Sequence, residues 1–403
     1  MLTLTRRAGT GGAIKQAPED FVVKEITNRG FVLQQDTRYD AKSLGMEEVQ
    51  GGKHISFVLQ KRDWNTVDAL VAIAKRLGHG RKSIAYAGSK DKKAISVQLA
   101  SVFHPQEFDL GSVQIKDIKI NGFWRSNGVE LGDDLGNAFE VTVKSAEHAE
   151  RVEEIANELG GKVPNYFGEQ RFGDRGNNAK VGAAILRGDF KEAAIEYLTG
   201  TSNERNEEVK SARAELKERL DFAQAIERFP RYLKGERTVL TYLSRYPNNY
   251  ANALKLLPRG IALMFIHAVQ AEIFNEELEQ RIKSGDFRSA IYAGSDFYGF
   301  PDIEKIGAEG YFALAPLVGC ETKDEELSDY AKAAMQRMQL GKEAFACRGM
   351  PELAMKGAYR PLLAPVKDLS YKAGSDSFWI SFSLPKGSYA TVLLKEFMKG
   401  SEN

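Results

Sequence analysis

The run Tyr86-Ala87-Gly88-Ser89-Lys90-Asp91-Lys92-Lys93-Ala94 sets one carboxylate among cations, on a turn after a short strand-like segment. Between Lys75 and Lys93 there are seven basic residues (Lys75, Arg76, Arg81, Lys82, Lys90, Lys92 and Lys93) and one acid, Asp91. A surface this basic suits a polyanion such as a nucleic acid. A lone aspartate there weakens the attraction for phosphate, so its presence points to chemistry rather than docking. Asp and Lys are also ordinary turn residues, and a solvated hairpin turn is the competing reading.

A second segment, Pro164-Asn165-Tyr166-Phe167-Gly168-Glu169-Gln170-Arg171-Phe172-Gly173, places three aromatics beside amide, acid and guanidinium groups. Rings of this kind stack on bases while amides read their edges. A tightly packed interdomain turn with aromatic anchors would need similar residues. Pro18-Glu19-Asp20 opens a strand with two carboxylates, which is also common turn chemistry. Leu384 to Thr391 offers backbone N–H groups and hydroxyls that suit phosphate or ribose, or an ordinary strand-to-helix connection.

Several classes are disfavoured. There is no GxxxxGK[ST] motif, and Gly80-Arg81-Lys82-Ser83 lacks the spacing of a phosphate loop; there is no GxGxxG after a strand and no GxSxG elbow. The five histidines show no HxH or HExxH spacing, and the two cysteines, Cys320 and Cys347, form no CxxC pair. No metal site is expected, and the cysteine usage fits a reducing cytoplasm. No apolar leader and no run approaching a membrane span is read, so a membrane partner is not expected. Lys+Arg is 56 against Asp+Glu 55, so any basic footprint must be local. Hydrophobic residues make up 43% of the 403-residue chain, enough for a normal core spread over two or three domains.

The elements that must position these groups change character along the chain. Up to about residue 145 strands dominate, with Phe21–Ile26, His54–Leu59, Ile84–Ala87, Ser96–Phe103 and Phe139–Val143 as candidates. One helix interrupts them, capped by Asn65 or Thr66, with Val67, Leu70, Val71, Ala74 and Leu77 as its apolar stripe, ending at Gly78. Another spans Val152 to Leu159 and ends at Gly160-Gly161. Helical patterns then run to about residue 345, including a long amphipathic helix through Phe265, Val269, Ile273, Phe274, Leu278 and Ile282, and a charge-dense stretch, Asn203 to Arg219, read as a solvated face. Strand character returns from about Tyr359, strongest in Ser377–Leu384. The economical reading is an α+β fold, its mixed or antiparallel sheet built from both chain ends around a helical insertion.

Taken together, the segments resemble the tRNA pseudouridine synthase D (TruD) family. The matches are Gly9-Thr10-Gly11 with Lys15 and Pro18 to Val23; Ala87 to Ala94 with Gln98; Gly136 to Phe139; Val163 to Gly173; and Leu384 to Thr391 with Leu394-Lys395-Glu396. They occur in the family's order, and NYFGEQRFG is close to diagnostic. The resemblance implies a pseudouridine synthase-like catalytic domain from residues 1–163 and 346–403, interrupted by an inserted, mainly helical TRUD domain at 164–345. It implies conversion of uridine to pseudouridine in tRNA, by default uridine 13 of the D-arm, after base flipping and with no cofactor or metal. Other structured RNA remains open as substrate, and no obligate protein partner is implied.

By the same resemblance Asp91 is the catalytic aspartate, acting by attack on the sugar or by assisting loss of the base. Lys15 is its expected partner, and Glu19 the residue that orients Lys15. Asn165 is expected to position the base or Asp91, and Phe167 to stack on the base. Lys75, Arg76, Arg81, Lys82, Lys90, Lys92, Lys93, Arg171 and Arg360 are candidate RNA contacts, Lys90 serving phosphate or structure. The competing function is an RNA-binding or RNA-folding protein that tolerates loss of Asp91.

Overall fold

The computed structural model describes residues 1–104, 110–287, 291–293 and 312–399. It divides into two compact units. The first comprises Thr3–Pro164 and the chain from Leu363 onward. It contains β1 (Phe21–Thr27), β2 (His54–Arg62), α1 (Thr66–Arg76), β3 (Ile84–Tyr86), β4 (Ile95–Phe103), β5 (Ile118–Ser126), β6 (Asp134–Lys144), α2 (Val152–Leu159) and β7 (Lys162–Pro164). The second unit carries α3 (Asn178–Arg187), α4 (Phe190–Thr199), α5 (Glu207–Arg219), α6 (Phe222–Arg228), α7 (Lys234–Arg245), α8 (Tyr250–Lys255), α9 (Arg259–Ser284), β8 (Ile291–Ala293), β9 (Phe312–Leu317), α10 (Asp329–Arg337) and β10 (Ala358–Pro361). The chain then returns to the first unit through β11 (Leu363–Pro365), β12 (Lys367–Ala373), β13 (Ser377–Pro385) and α11 (Ala390–Met398).

Eight strands form the main sheet of the first unit, in the order β12-β13-β6-β1-β4-β2-β5, with β3 paired to β4. Only β1 and β4 run parallel among these pairs, so the sheet is mixed, as the short connections predict. Its central strands are rich in Val, Ile and Phe, which suit a pleated surface buried on both faces. Strand β6 buries Phe139, Val141 and Val143, the alternation read from the sequence. Gly136 lies where β6 meets β13: a Cβ there would sit 2.2 Å from the Leu384 carbonyl oxygen, so only glycine permits the pairing.

One edge of β4 forks. It pairs with β1 over Ile95–Val97 and with β3 over Ala100–Val102. At the fork the Leu99 N–H donates to the Glu25 carboxylate at 3.0 Å instead of to a strand carbonyl. The chain between β3 and β4, which carries Asp91, emerges from this fork. Helix α1 covers the neighbouring sheet face, packing Ala69, Leu70, Ile73, Ala74 and Leu77 on Ile55, Phe57, Leu59, Ala100 and Val102. Its buried stripe is rotated from the predicted one: Val67 and Val71 are only partly buried. The apolar run Ala69 to Ala74 is too continuous for periodicity to fix the face.

The N-terminal segment is tied to α11. Thr10 and Gly11 donate to the carbonyls of Phe397 and Met398, and buried Glu396 accepts from Leu4 N, Thr5 N and Thr5 Oγ1 at 2.7, 3.1 and 2.9 Å.

In the second unit, 26-residue α9 lies at the centre of the helical core, with Phe265, Ile266, Val269 and Ile273 packed against α3 and its neighbours. The unit extends to Leu362, whereas the sequence reading ends the insertion at 345, because β10 pairs with β9 and keeps residues 358–361 in this body. Helix α5 keeps the expected solvated face, with Glu207, Glu208, Lys210, Lys217, Glu218 and Arg219 exposed, but Arg213 turns inward and is buried, 2.9 Å from Glu236 and 2.6 Å from the Leu198 carbonyl.

Candidate active site

Residues 87–94 connect β3 to β4, and the connection is fastened by buried polar groups. Lys90 N–H donates to Thr66 Oγ1 at 3.0 Å; that hydroxyl donates to Gln98 Oε1 at 3.0 Å; Gln98 Nε2 donates to the Gly88 carbonyl at 3.0 Å. From β2, Lys61 Nζ donates to the carbonyls of Asp91 and Trp64, each at 2.8 Å. The backbone of the turn is thus held by α1, β2 and β4, while the Asp91 carboxylate stays partly exposed.

Lys15 reaches that carboxylate, with Nζ 2.7 Å from Asp91 Oδ1 and 20% and 29% of the two side chains exposed. The ammonium also lies 4.2 Å above the Phe21 ring. Lys15 itself has φ 58°, the left-handed region that costs a non-glycine residue energy and clusters at functional sites. Asp20 accepts from Ala17 N at 2.8 Å and pairs with Lys144 at 2.7 Å, shaping the entry to β1. Burial works against that carboxylate, but Lys144 and the Ala17 N–H hold Asp20 below the usual aspartate range.

Two expected roles are not supported by the geometry. Glu19 is paired with Arg62 at 2.6 Å rather than with Lys15. Lys90 is not a surface cation for phosphate: its side chain is 3% exposed and sits 2.9 Å from Glu25 and 3.2 Å from Asp134. Burial disfavours its ammonium, but the two carboxylates outweigh that and hold Lys90 above the ordinary lysine value. Burial pushes Glu25 up, with Lys90 pulling against it. Lys75, Arg76, Arg81, Lys82, Lys92 and Lys93 are all exposed.

Asn165, Phe167, Arg171 and Arg360 gather within the helical unit. Arg360 donates from Nε to the Asn165 carbonyl at 3.0 Å and from Nη2 to Asn165 Oδ1 at 2.8 Å; Asn165 Nδ2 donates to the Pro361 carbonyl at 3.0 Å. The Arg360 guanidinium lies 4.0 Å from the Phe167 ring centroid, Arg171 lies 5.3 Å from it, and Phe274 meets the ring edge-on at 5.6 Å. Asn275 fixes the Phe167 backbone through two hydrogen bonds. Phe167 is therefore a packed ring beneath a guanidinium, 7% exposed, rather than an open platform. Arg171 Nε is buried without a hydrogen-bond partner among the described residues.

The family model for tRNA pseudouridine synthase D (TruD) matches residues 2–295 and 301–397. The chain belongs to the TruD family. Its relatives include a probable tRNA pseudouridine synthase D from Methanosarcina acetivorans, 33% identical over 98% of this chain and 94% of that protein. A tRNA pseudouridine synthase D from Geotalea daltonii is 30% identical over 97% of each. A crystal structure from Methanosarcina mazei assigned to TruD superposes with a TM-score of 0.77 at 31% identity, covering all of this chain and 96% of that one.

Within this TruD chain the quoted motifs divide into two kinds of work. Asp91 and Lys15 present a partly exposed ion pair. Gln98, Gly136, Gly9-Thr10-Gly11 and Glu396 hold strands and termini together. Sequence reasoning missed Lys61, Glu25 and Asp134. For Lys61 a signal was present: it continues the Ile55, Phe57, Leu59 alternation, so a lysine falls on a core-facing row. Glu25 and Asp134 give no such local signal. Among the described residues no group of three or more His, Cys, Asp and Glu could hold a metal ion, and no helix is long and apolar enough to cross a membrane.

Proposed function

We propose that this TruD-family chain isomerises uridine to pseudouridine in tRNA, with uridine 13 of the D-arm as its default target and Asp91 as the essential carboxylate. The observation that carries the assignment is the Asp91 carboxylate itself: partly exposed, paired with Lys15 at 2.7 Å, and set on a turn held by buried bonds. The target nucleotide must leave its stack, at a cost of about a few kcal/mol. Exposed Lys75, Arg76, Arg81, Lys82, Lys92 and Lys93 offset that cost through backbone phosphate contacts, which weaken steeply with salt.

In the reaction the N1–C1′ bond breaks, the uracil turns, and a C5–C1′ bond forms; the C5 hydrogen leaves as a proton and N1 gains one. Asp91 serves either by attack on C1′, forming an O–C1′ bond as N1 leaves that breaks again when C5 attacks C1′, or by taking the C2′ proton as the base departs, leaving a C1′=C2′ double bond, and returning that proton to C2′ as C5 joins C1′. Lys15 orients the carboxylate. The planar surface assigned to a base is the Arg360 guanidinium backed by the Phe167 ring, since a guanidinium plane also stacks on nucleobases.

The test uses tRNA transcripts tritiated at uridine C5, mixed with wild type or Asp91→Asn. Tritium release by the wild type alone, with tRNA affinity kept within a few-fold in the variant, is expected. Release by Asp91→Asn would remove Asp91 from the chemistry. Release by neither, with tRNA still bound, would instead indicate an RNA-binding or RNA-folding role.

A further inference from the structure

Lys61 is among the largest fully buried side chains of the molecule, at 0% exposure, and no carboxylate pairs with its ammonium among the described residues. It stands near the end of β2, level with Ser96 of β4 and Ile118 of β5. Its three N–H bonds find three main-chain carbonyls: Trp64 at 2.8 Å, Asp91 at 2.8 Å and Lys90 at 3.4 Å. A buried charge is costly even when hydrogen-bonded, and an apolar side chain of similar volume would avoid that cost but leave the three carbonyls without their donor. The lysine is thus tied to this turn by the main chain it holds. What the ammonium does that methionine cannot is fix the carbonyl of the residue that carries the carboxylate.

We propose that Lys61 is a positioning residue, whose amine grips the main chain of Asp91 and sets the direction of its carboxylate. This rests on the reading of Asp91 as the essential carboxylate. The charged groups acting on Lys61 are Asp91, which favours its protonation, and Lys90, which opposes it. Burial is the largest influence and pulls Lys61 down to about 8. The neutral amine keeps only two hydrogens and turns a lone pair toward a carbonyl, so loss of the proton loosens the turn. Stability moves the other way. A lysine depressed in the folded state holds fewer protons there than when unfolded, so for this group the folded form gains stability as pH rises from about 8 toward 10.5.

The experiment compares wild type, Lys61→Met, Lys61→Arg and Asp91→Asn by single-turnover tritium release across pH, with tRNA affinity and thermal melts alongside. The wild-type rate is expected to decline as pH rises through about 8 with no fall in melting temperature attributable to Lys61. Lys61→Met should be about 100-fold slower, as for a misplaced catalytic group, without that alkaline decline and with affinity within about 3-fold. Lys61→Arg, whose guanidinium stays charged, should restore part of the rate and move the decline to higher pH. A Lys61→Met rate within about 3-fold of wild type, with the same pH profile, beside an inactive Asp91→Asn, would overturn the inference while leaving the function intact. Tritium release by Asp91→Asn would overturn the function reading instead. If the Lys61 variants do not fold, NMR titration of isotope-labelled lysines in the wild type decides. A lysine titrating near 8 in step with the rate supports the role, and none below about 9.5 refutes it.

Discussion

Replacing Lys90 with methionine tests whether the Asp91 turn rests on a buried ionic cluster. Methionine fills the space of the aliphatic stem but leaves Glu25 and Asp134, 1% and 8% exposed, without their shared cation. Breaking a buried ion pair from one side costs about 3–5 kcal/mol, because the remaining charge is stranded. The loss should depend on pH in a defined direction. Glu25 is already pushed up by burial, and removing Lys90 removes the group that pulls it down. A carboxyl raised in the folded state contributes stability that is fully present below its unfolded value of 4.5 and is lost as pH rises through the folded value. Lys90→Met is therefore weakened progressively as pH rises above 4.5, with a slope that approaches about 1.4 kcal/mol per pH unit while one proton is involved. Urea unfolding at several pH values measures this. A triple variant, Lys90→Met with Glu25→Gln and Asp134→Asn, should recover much of the loss, since no charge is then stranded. A loss below about 1 kcal/mol, or one that is flat with pH, would refute the reasoning.

Lys15→Met should slow single-turnover tritium release by about 10–100-fold while changing unfolding free energy by no more than about 1 kcal/mol, since the pair it breaks is partly exposed. Phe167→Leu keeps volume but removes the ring; it should lower the rate while tRNA affinity, read by filter binding, falls less than about 10-fold. Glu396→Ala leaves Leu4 N, Thr5 N and Thr5 Oγ1 without their buried acceptor and should cost about 2–4 kcal/mol in urea unfolding, with the N-terminal segment becoming cleavable by protease. Arg81→Ala and Lys92→Ala, both at exposed sites, should each reduce the slope of log affinity against log salt by about 1.

What the sequence made legible follows from how local each signal is. The hairpin around Asp91 could be read because β3 and β4 are apolar runs on either side of a polar turn, and β6 because its alternation is strict. The helix after Asn65 was readable from its cap, which accepts from Val67 N, although the buried face was not. The fate of Lys90 was hidden. Whether a lysine in a basic run faces solvent or the core depends on Glu25 and Asp134, 65 and 44 positions away in the chain. The cluster in the helical unit was half legible in the same way. Asn165, Phe167 and Arg171 announce a ring beside polar groups, but the guanidinium that covers the ring comes from Arg360, on a strand whose partner β9 starts at Phe312. Long-range pairing of this kind also decides the end of the insertion.

Three lysines meet the Asp91 turn, and burial and partners give them three different tasks. Lys15 is partly exposed and touches the carboxylate itself, so it acts on the charge. Lys90 is buried against two acids and neutralises the fork in the sheet, where Glu25 stands in for a missing strand carbonyl. Lys61 is buried against carbonyls alone and acts on the backbone. A turn built this way carries the desolvation cost of two buried ammonium groups. It makes sense if the quantity being optimised is the direction of one carboxylate. Hydrogen bonds and ion pairs are directional where apolar contacts are not, and a displacement of about 1 Å at a reacting atom can cost about two orders of magnitude in rate. In the proposed function the exposed cations of the run around Asp91 meet the phosphates of the RNA, while buried Lys90 and Lys61 hold the turn that carries the carboxylate.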